Sequence, residues 1–125
     1  MIPVQEVDFE SAPAEAAYAN ALAAAEALRP LVESLAYREP ALCGQLRRAC
    51  ADLVMAVATA HIERDPVDRG CAWAAALGDT AEVQALLELI RLRDLADGDD
   101  PDQVRAHELL WRLTAALPRL LAASV

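Results

Sequence analysis

Asp100-Pro101-Asp102-Gln103-Val104-Arg105-Ala106-His107-Glu108-Leu109-Leu110-Trp111-Arg112-Leu113-Thr114-Ala115-Ala116-Leu117 is the stretch whose reading decides the fold. Its Asp-Pro opening puts a side-chain acceptor where a helix leaves its first N–H groups unpaired, and a proline where the first turn tolerates one. Gln103 stands at the capping-box position. At ~100° per residue, Ala106, Leu109, Leu110, Leu113, Leu117 and Leu120 fall on one stripe. The spacing predicts an amphipathic helix from Pro101 to about Ala122, with Pro118 disturbing its last turns.

Two more acid-proline pairs, Glu39-Pro40 and Asp65-Pro66, mark two more helix starts. The second helix carries the stripe Leu42, Leu46, Ala49, Leu53, Val57 and Ala60, and the third runs from Pro66 to about Leu95. Asp97-Gly98-Asp99 connects it to the fourth. The first helix then lies before Glu39, from about Pro13 to Tyr37, with Pro30 kinking or breaking it. Its stripe is Ala21, Ala24, Ala25, Leu28, Leu31, Val32 and Leu35. Composition agrees: 29 Ala and 19 Leu stand against 15 Val, Ile and Thr together, so strand formers are scarce. Short connections favour antiparallel neighbours, and the expected fold is all-α, an up-down-up-down four-helix bundle over residues 13–125 behind an acidic tail, 1–12.

The net charge is −9, from 11 Arg, no Lys and 20 acids. Three acids (Glu6, Asp8, Glu10) sit in the tail and five (Asp94, Asp97, Asp99, Asp100, Asp102) in the last connection, so the remaining body is nearly neutral. No apolar run approaches the ~18 residues of a membrane span, because Glu26, Arg29, Asp52 and Asp79 interrupt the richest stretches. MIPVQEVDFE lacks the basic start and apolar core of a signal peptide, and the three cysteines form no C-x-x-C pair. A soluble, cytoplasmic protein with reduced thiols is the expectation.

The chain is 56% apolar with a mean hydropathy of +0.20, more than one bundle core needs. Met55 and Ile62, seven apart on the second helix, lie away from its stripe. On the third helix Val67, Cys71, Ala74, Leu77 and Ala81 share one face, while Val83, Leu86, Leu87 and Ile90 point largely to another. Val104 and Trp111 lie off the stripe of the fourth. The pattern predicts a homo-oligomer whose contacts use Met55, Ile62, Val83, Leu87, Ile90 and Trp111. The alternative is that bending at Pro30 and Pro118 turns these residues into a single core.

Gln45-Leu46-Arg47-Arg48-Ala49, followed by Ala76-Leu77-Gly78-Asp79-Thr80-Ala81-Glu82 and Leu86-Leu87-Glu88-Leu89, resembles the bacterial four-helix-bundle family. That family includes proteins encoded in 23S rRNA intervening sequences and the accessory variability determinant of diversity-generating retroelements. The likeness runs from about Leu28 to Leu121. It implies an antiparallel four-helix subunit in a homopentameric ring, no catalysis, and, for the retroelement branch, association with a reverse transcriptase and its RNA through a positive surface. This chain departs from the family in its acidity and in having Leu53-Val54-Met55-Ala56-Val57-Ala58 where the segment I-P-x-N-I-A-E-G often stands.

Arg105, Arg112 and Arg119 recur every seven residues and form a ridge that drifts only ~20° per step. With Arg47 and Arg48 they are the candidate contacts for nucleic acid or an acidic partner, although pairing with Glu108 and inter-helix ion pairs account for them equally well. His61 and His107 belong to no metal-binding spacing, and the Asp97–Asp102 run lacks the glutamate of a calcium loop. Cys43, Cys50 and Cys71 are expected as buried packing, and Trp73 and Trp111 as packing at a core or subunit interface. No phosphate-binding glycine loop and no nucleophile beside a base appears. The sequence thus points to a non-catalytic accessory or scaffold subunit without cofactor or metal, binding itself and a protein or nucleoprotein partner but no membrane. Nucleic-acid binding stays the alternative.

Overall fold

A computed structural model describes residues 11–124. Their elements are α1 (Ser11–Arg38), α2 (Pro40–Ile62), α3 (Pro66–Leu92) and α4 (Pro101–Ala123), with no strand among the described residues. The tail's acids Glu6, Asp8 and Glu10 lie outside that range. Helix α1 starts two residues before the expected Pro13, which therefore sits within the first turn, where its missing N–H costs nothing.

The acid-proline starts work as local chemistry. The Asp65 carboxylate accepts the Val67 N–H at 2.9 Å, and Asp100 accepts those of Asp102 and Gln103 at 2.9 and 3.2 Å. Glu39 is the sole residue between α1 and α2; its side chain caps nothing and instead accepts from Arg93 Nη2 at 2.9 Å. Arg38 donates to the Leu95 carbonyl at 2.7 Å, so two bonds tie the α1–α2 corner to the end of α3. At the other end Tyr18 of α1 stacks on His61 of α2, and Arg69 of α3 donates to Ser124 Oγ at 3.4 Å. These contacts fix an up-down-up-down order in which α1 and α3 each touch both α2 and α4, and neither diagonal pair meets.

The core follows alternating steps of three and four residues, the spacing of knobs-into-holes bundles. In α1 it is Ala14, Ala17, Ala21, Ala24, Leu28, Leu31 and Leu35; in α3 it is Trp73, Ala76, Thr80, Val83, Leu87 and Ile90. The expected stripes of α2 and α4 are buried throughout. The all-alanine half of α1 lies at the end of the bundle where α3 begins, and there Trp73, almost wholly enclosed, supplies bulk that alanines cannot. Thr80, the one polar member of the stripe, satisfies its hydroxyl on the Ala76 carbonyl at 2.8 Å.

Three expectations are corrected. Of the kink or break expected at Pro30, the break is absent, and α4 likewise continues past Pro118; both prolines are exposed, each ring facing water. Helix α3 stops at Leu92, not Leu95. There Asp94 takes a left-handed φ of 54°, while the N–H groups of Leu95 and Asp94 bond back to Ile90 and Arg91, each at 3.1 Å, a Schellman closure. The inner face of α3 is also the opposite of the expected one. Val67, Cys71, Ala74 and Ala81 are exposed and Leu77 is half-buried, whereas Val83, Leu87 and Ile90 are core. The true stripe was masked because its first half after Trp73 consists of Ala76 and Thr80, no more apolar than the alanines around them.

Candidate functional site

Of the six residues expected at subunit contacts, Val83, Leu87 and Ile90 are buried within the single chain and leave the set, since a side chain enclosed by its own bundle has no surface to offer. Met55, Ile62 and Trp111 are 64, 77 and 71% exposed. They occupy two faces, because α2 and α4 are diagonal in the bundle.

The first face lies over α2 and α3. On α2, Cys43 donates its thiol hydrogen to the Val32 carbonyl and His61 stacks on Tyr18, which turns that flank towards α1. Asp52 is felt instead by Asp79 of α3. Met55 and Ile62, seven apart, stand in one line with exposed Arg48 on the outer side of α2, opposite its buried stripe. Half-buried Asp79 has its carboxyl pushed above the ordinary range, first by burial and then by the charges of Asp52 and Glu82. Glu82 is followed seven residues on by exposed Leu89. The surface over α2 and α3 is therefore apolar and of mixed charge, with Arg48 in line with Met55 and Ile62 and the carboxylates Asp52, Asp79 and Glu82 beside them.

The second face is the outer side of α4. Leu121 packs within 3.9 Å of the space above Gly70, and His107 bears on Glu88, so the 107–114–121 line is turned to α3. Trp111 and Val104 stand outside that line, and the ridge Arg105, Arg112, Arg119 runs beyond them. All three arginines are exposed, and among the described residues none has a carboxylate within 4 Å; the expected pairs with Glu108 do not form. Arg47 and Arg48 are exposed too, but on α2, so the structure does not gather the five arginines into one patch. Arg47 is partly occupied, donating to the Cys43 thiol at 3.6 Å.

Cys43 and Cys50 are buried as expected, and burial pushes the Cys50 thiol up to about 11. Cys71 is exposed, which corrects its expected packing role; it went to the outside with the misread face of α3. Asp97 accepts the Asp99 N–H at 2.9 Å and Asp100 caps α4, so two carboxylates of the acidic connection serve the backbone. A cleft of about 200 Å³ between α1 and α4 is lined by Pro30, Ser34, Arg38, Asp102 and Gln103 among others, and its walls hold no histidine or cysteine. Among the described residues no three His, Cys, Asp or Glu side chains come close enough to hold a metal, and no helix is long and apolar enough to cross a membrane.

The acidic group Asp52, Asp79 and Glu82 escaped the sequence reading because it forms only when α2 and α3 are placed side by side. Compared with known proteins, the chain matches no family model, no curated protein and no solved structure.

Proposed function

We propose that this chain is a non-catalytic subunit of a homo-oligomeric ring, working in the cytoplasm as an accessory or scaffold for a protein or nucleoprotein partner. One observation carries the reading: Met55, Ile62 and Trp111 are each nearly two-thirds exposed or more, on two faces of a bundle whose core is already filled. Large apolar side chains at such positions are stabilised when a neighbouring copy covers them. Five subunits, and a reverse transcriptase as partner, belong to the reading through the family resemblance of α2 and α3. Light scattering tests it. The native chain is expected to run well above its 13.4 kDa at micromolar concentration, and Met55→Asp to lower that mass with helical content retained. A stable native monomer would reject the assembly.

A second reading is favoured by the Arg105, Arg112 and Arg119 ridge, which has no carboxylate within 4 Å among the described residues. Repeated around a ring, such weak cationic sites bind RNA or DNA by multivalency. Filter binding tests this: retention at low salt that falls steeply at moderate salt supports it, and no retention at low salt removes it.

A further inference from the structure

We infer that Arg105, Arg112 and Arg119 form the rim of a docking groove between α1 and α4, and that its occupant is this chain's own segment 1–10. The 107–114–121 line of α4 is turned to α3. At 3.6 residues per turn the arginine row comes round on the opposite flank, the one beside α1. Tyr18 and the Val32 carbonyl of α1 meet α2, so the α1 flank on the α4 side carries Ala16, Ala23 and Pro30, seven apart. That wall is short and uncharged. Further out on α1, Glu26 and Glu33 are held by Arg29 at 3.4 and 3.8 Å. Glu108 is the one acid between the arginines of the row, which stays positive with it included.

Charge, attachment and length name the occupant. Residues 1–10 contain Glu6, Asp8 and Glu10 and no arginine. They join α1 at Ser11, at the end of the bundle where Ser124 closes α4. Ten residues reach roughly 33 Å, whereas Arg119 and Arg105 are only ~21 Å apart along the helix. Alternation adds a two-sided match, since a segment laid along the groove turns Glu6 and Asp8 to the arginine rim and Val7 and Phe9 to the alanine wall. Other arginines are worse hosts. Arg47 donates to the Cys43 thiol, Arg48 has Asp52 one turn on, and Arg64 stands between Glu63 and Asp65. Because the segment is tethered, it meets the row at an effective concentration that a free ligand rarely matches, so an anionic partner of the row has to displace it. The contact does not depend on how many copies assemble.

The experiment places a nitroxide on Ile2→Cys in the full chain, with Cys71→Ser removing the exposed thiol, and follows backbone amide signals of nitrogen-15-labelled protein. Native helical content is checked by circular dichroism. With Asp8 at Arg119, residue 2 lies ~20 Å further along the groove, so the strongest signal loss is expected around Arg105 and Pro30, far from where the segment joins α1. Glu6→Gln, Asp8→Asn and Glu10→Gln together should restore those signals at least severalfold. Loss confined to the Ser11 end, loss centred on α2, or no loss at all would overturn the docking. Loss that survives the triple substitution would overturn its charge basis. A mixture of nitroxide-bearing chains with isotope-labelled chains lacking the nitroxide should show no loss; loss around Arg105 there would assign the row to a neighbour's segment and overturn the inference.

Discussion

The three cysteines differ in reactivity because the thiolate is the nucleophile and burial opposes its formation. Cys50 is held at about 11, Cys43 is buried with its hydrogen on the Val32 carbonyl, and Cys71 stands in water on α3. In the native chain one thiol of the three is expected to react rapidly with an aromatic disulfide reagent at pH 8, and Cys71→Ser should remove that fast phase; two fast thiols would contradict the placement. Asp79 offers a second residue-scale test. Its carboxyl is raised in the fold from 3.8 by burial, then by Asp52 and Glu82, so the ionised form is disfavoured there. The resulting penalty on stability is full at neutral pH, shrinks as pH falls through the raised folded value, and is gone below the ordinary value. Asp79→Asn should therefore raise the denaturation midpoint at pH 7 and leave it unchanged near pH 3, measured in the Met55→Asp background so that no neighbouring copy contributes. An equal effect at both pH values would reject the charge argument.

Among the elements, the end of α3 holds the clearest liability. Asp94 adopts a left-handed φ of 54°, which glycine takes without steric cost, and it places a negative charge beside the negative end of the helix dipole. Asp94→Gly is expected to stabilise the chain by roughly 0.5–1 kcal/mol, read as a higher urea midpoint at unchanged slope. A lower midpoint would mean that Asp94 makes a contact worth more than both costs. The elements were unequally legible in the sequence. In α2 and α4 leucines repeat at close intervals, from Leu42 to Leu53 and from Leu109 to Leu120, and their stripes are buried throughout. Helix α3 misled because Ala74 and Ala81 read as strongly as Ala76 and Thr80, so its alanine-rich first half gave no preference until its two neighbours were in place. That one rotation sent Cys71 outward and drew Val83, Leu87 and Ile90 into the core, half of the expected contact residues. The exposure of Met55, Ile62 and Trp111 was legible because each stands on a helix whose stripe was unambiguous.

At the scale of the whole molecule the two tryptophans separate folding from assembly. Trp73 fills the alanine end of the core, while Trp111 is 71% exposed. Truncating a buried tryptophan costs about 3–5 kcal/mol through lost burial and the cavity left behind, so Trp73→Ala should lower Tm by roughly 10–20 °C at every protein concentration. Truncating Trp111 removes surface that only a neighbouring copy would cover. Because a partner that binds the folded chain stabilises it by mass action, the native Tm should climb as concentration rises from about 1 to 100 μM. Trp111→Ala should match the native chain at the dilute end and fail to climb. Calorimetry over that range distinguishes the roles, since a core defect shifts the curve bodily and an interface defect flattens it. A native Tm independent of concentration, or a Trp111→Ala variant destabilised equally at all concentrations, would place Trp111 in the service of the single bundle and leave the exposed faces without a neighbour.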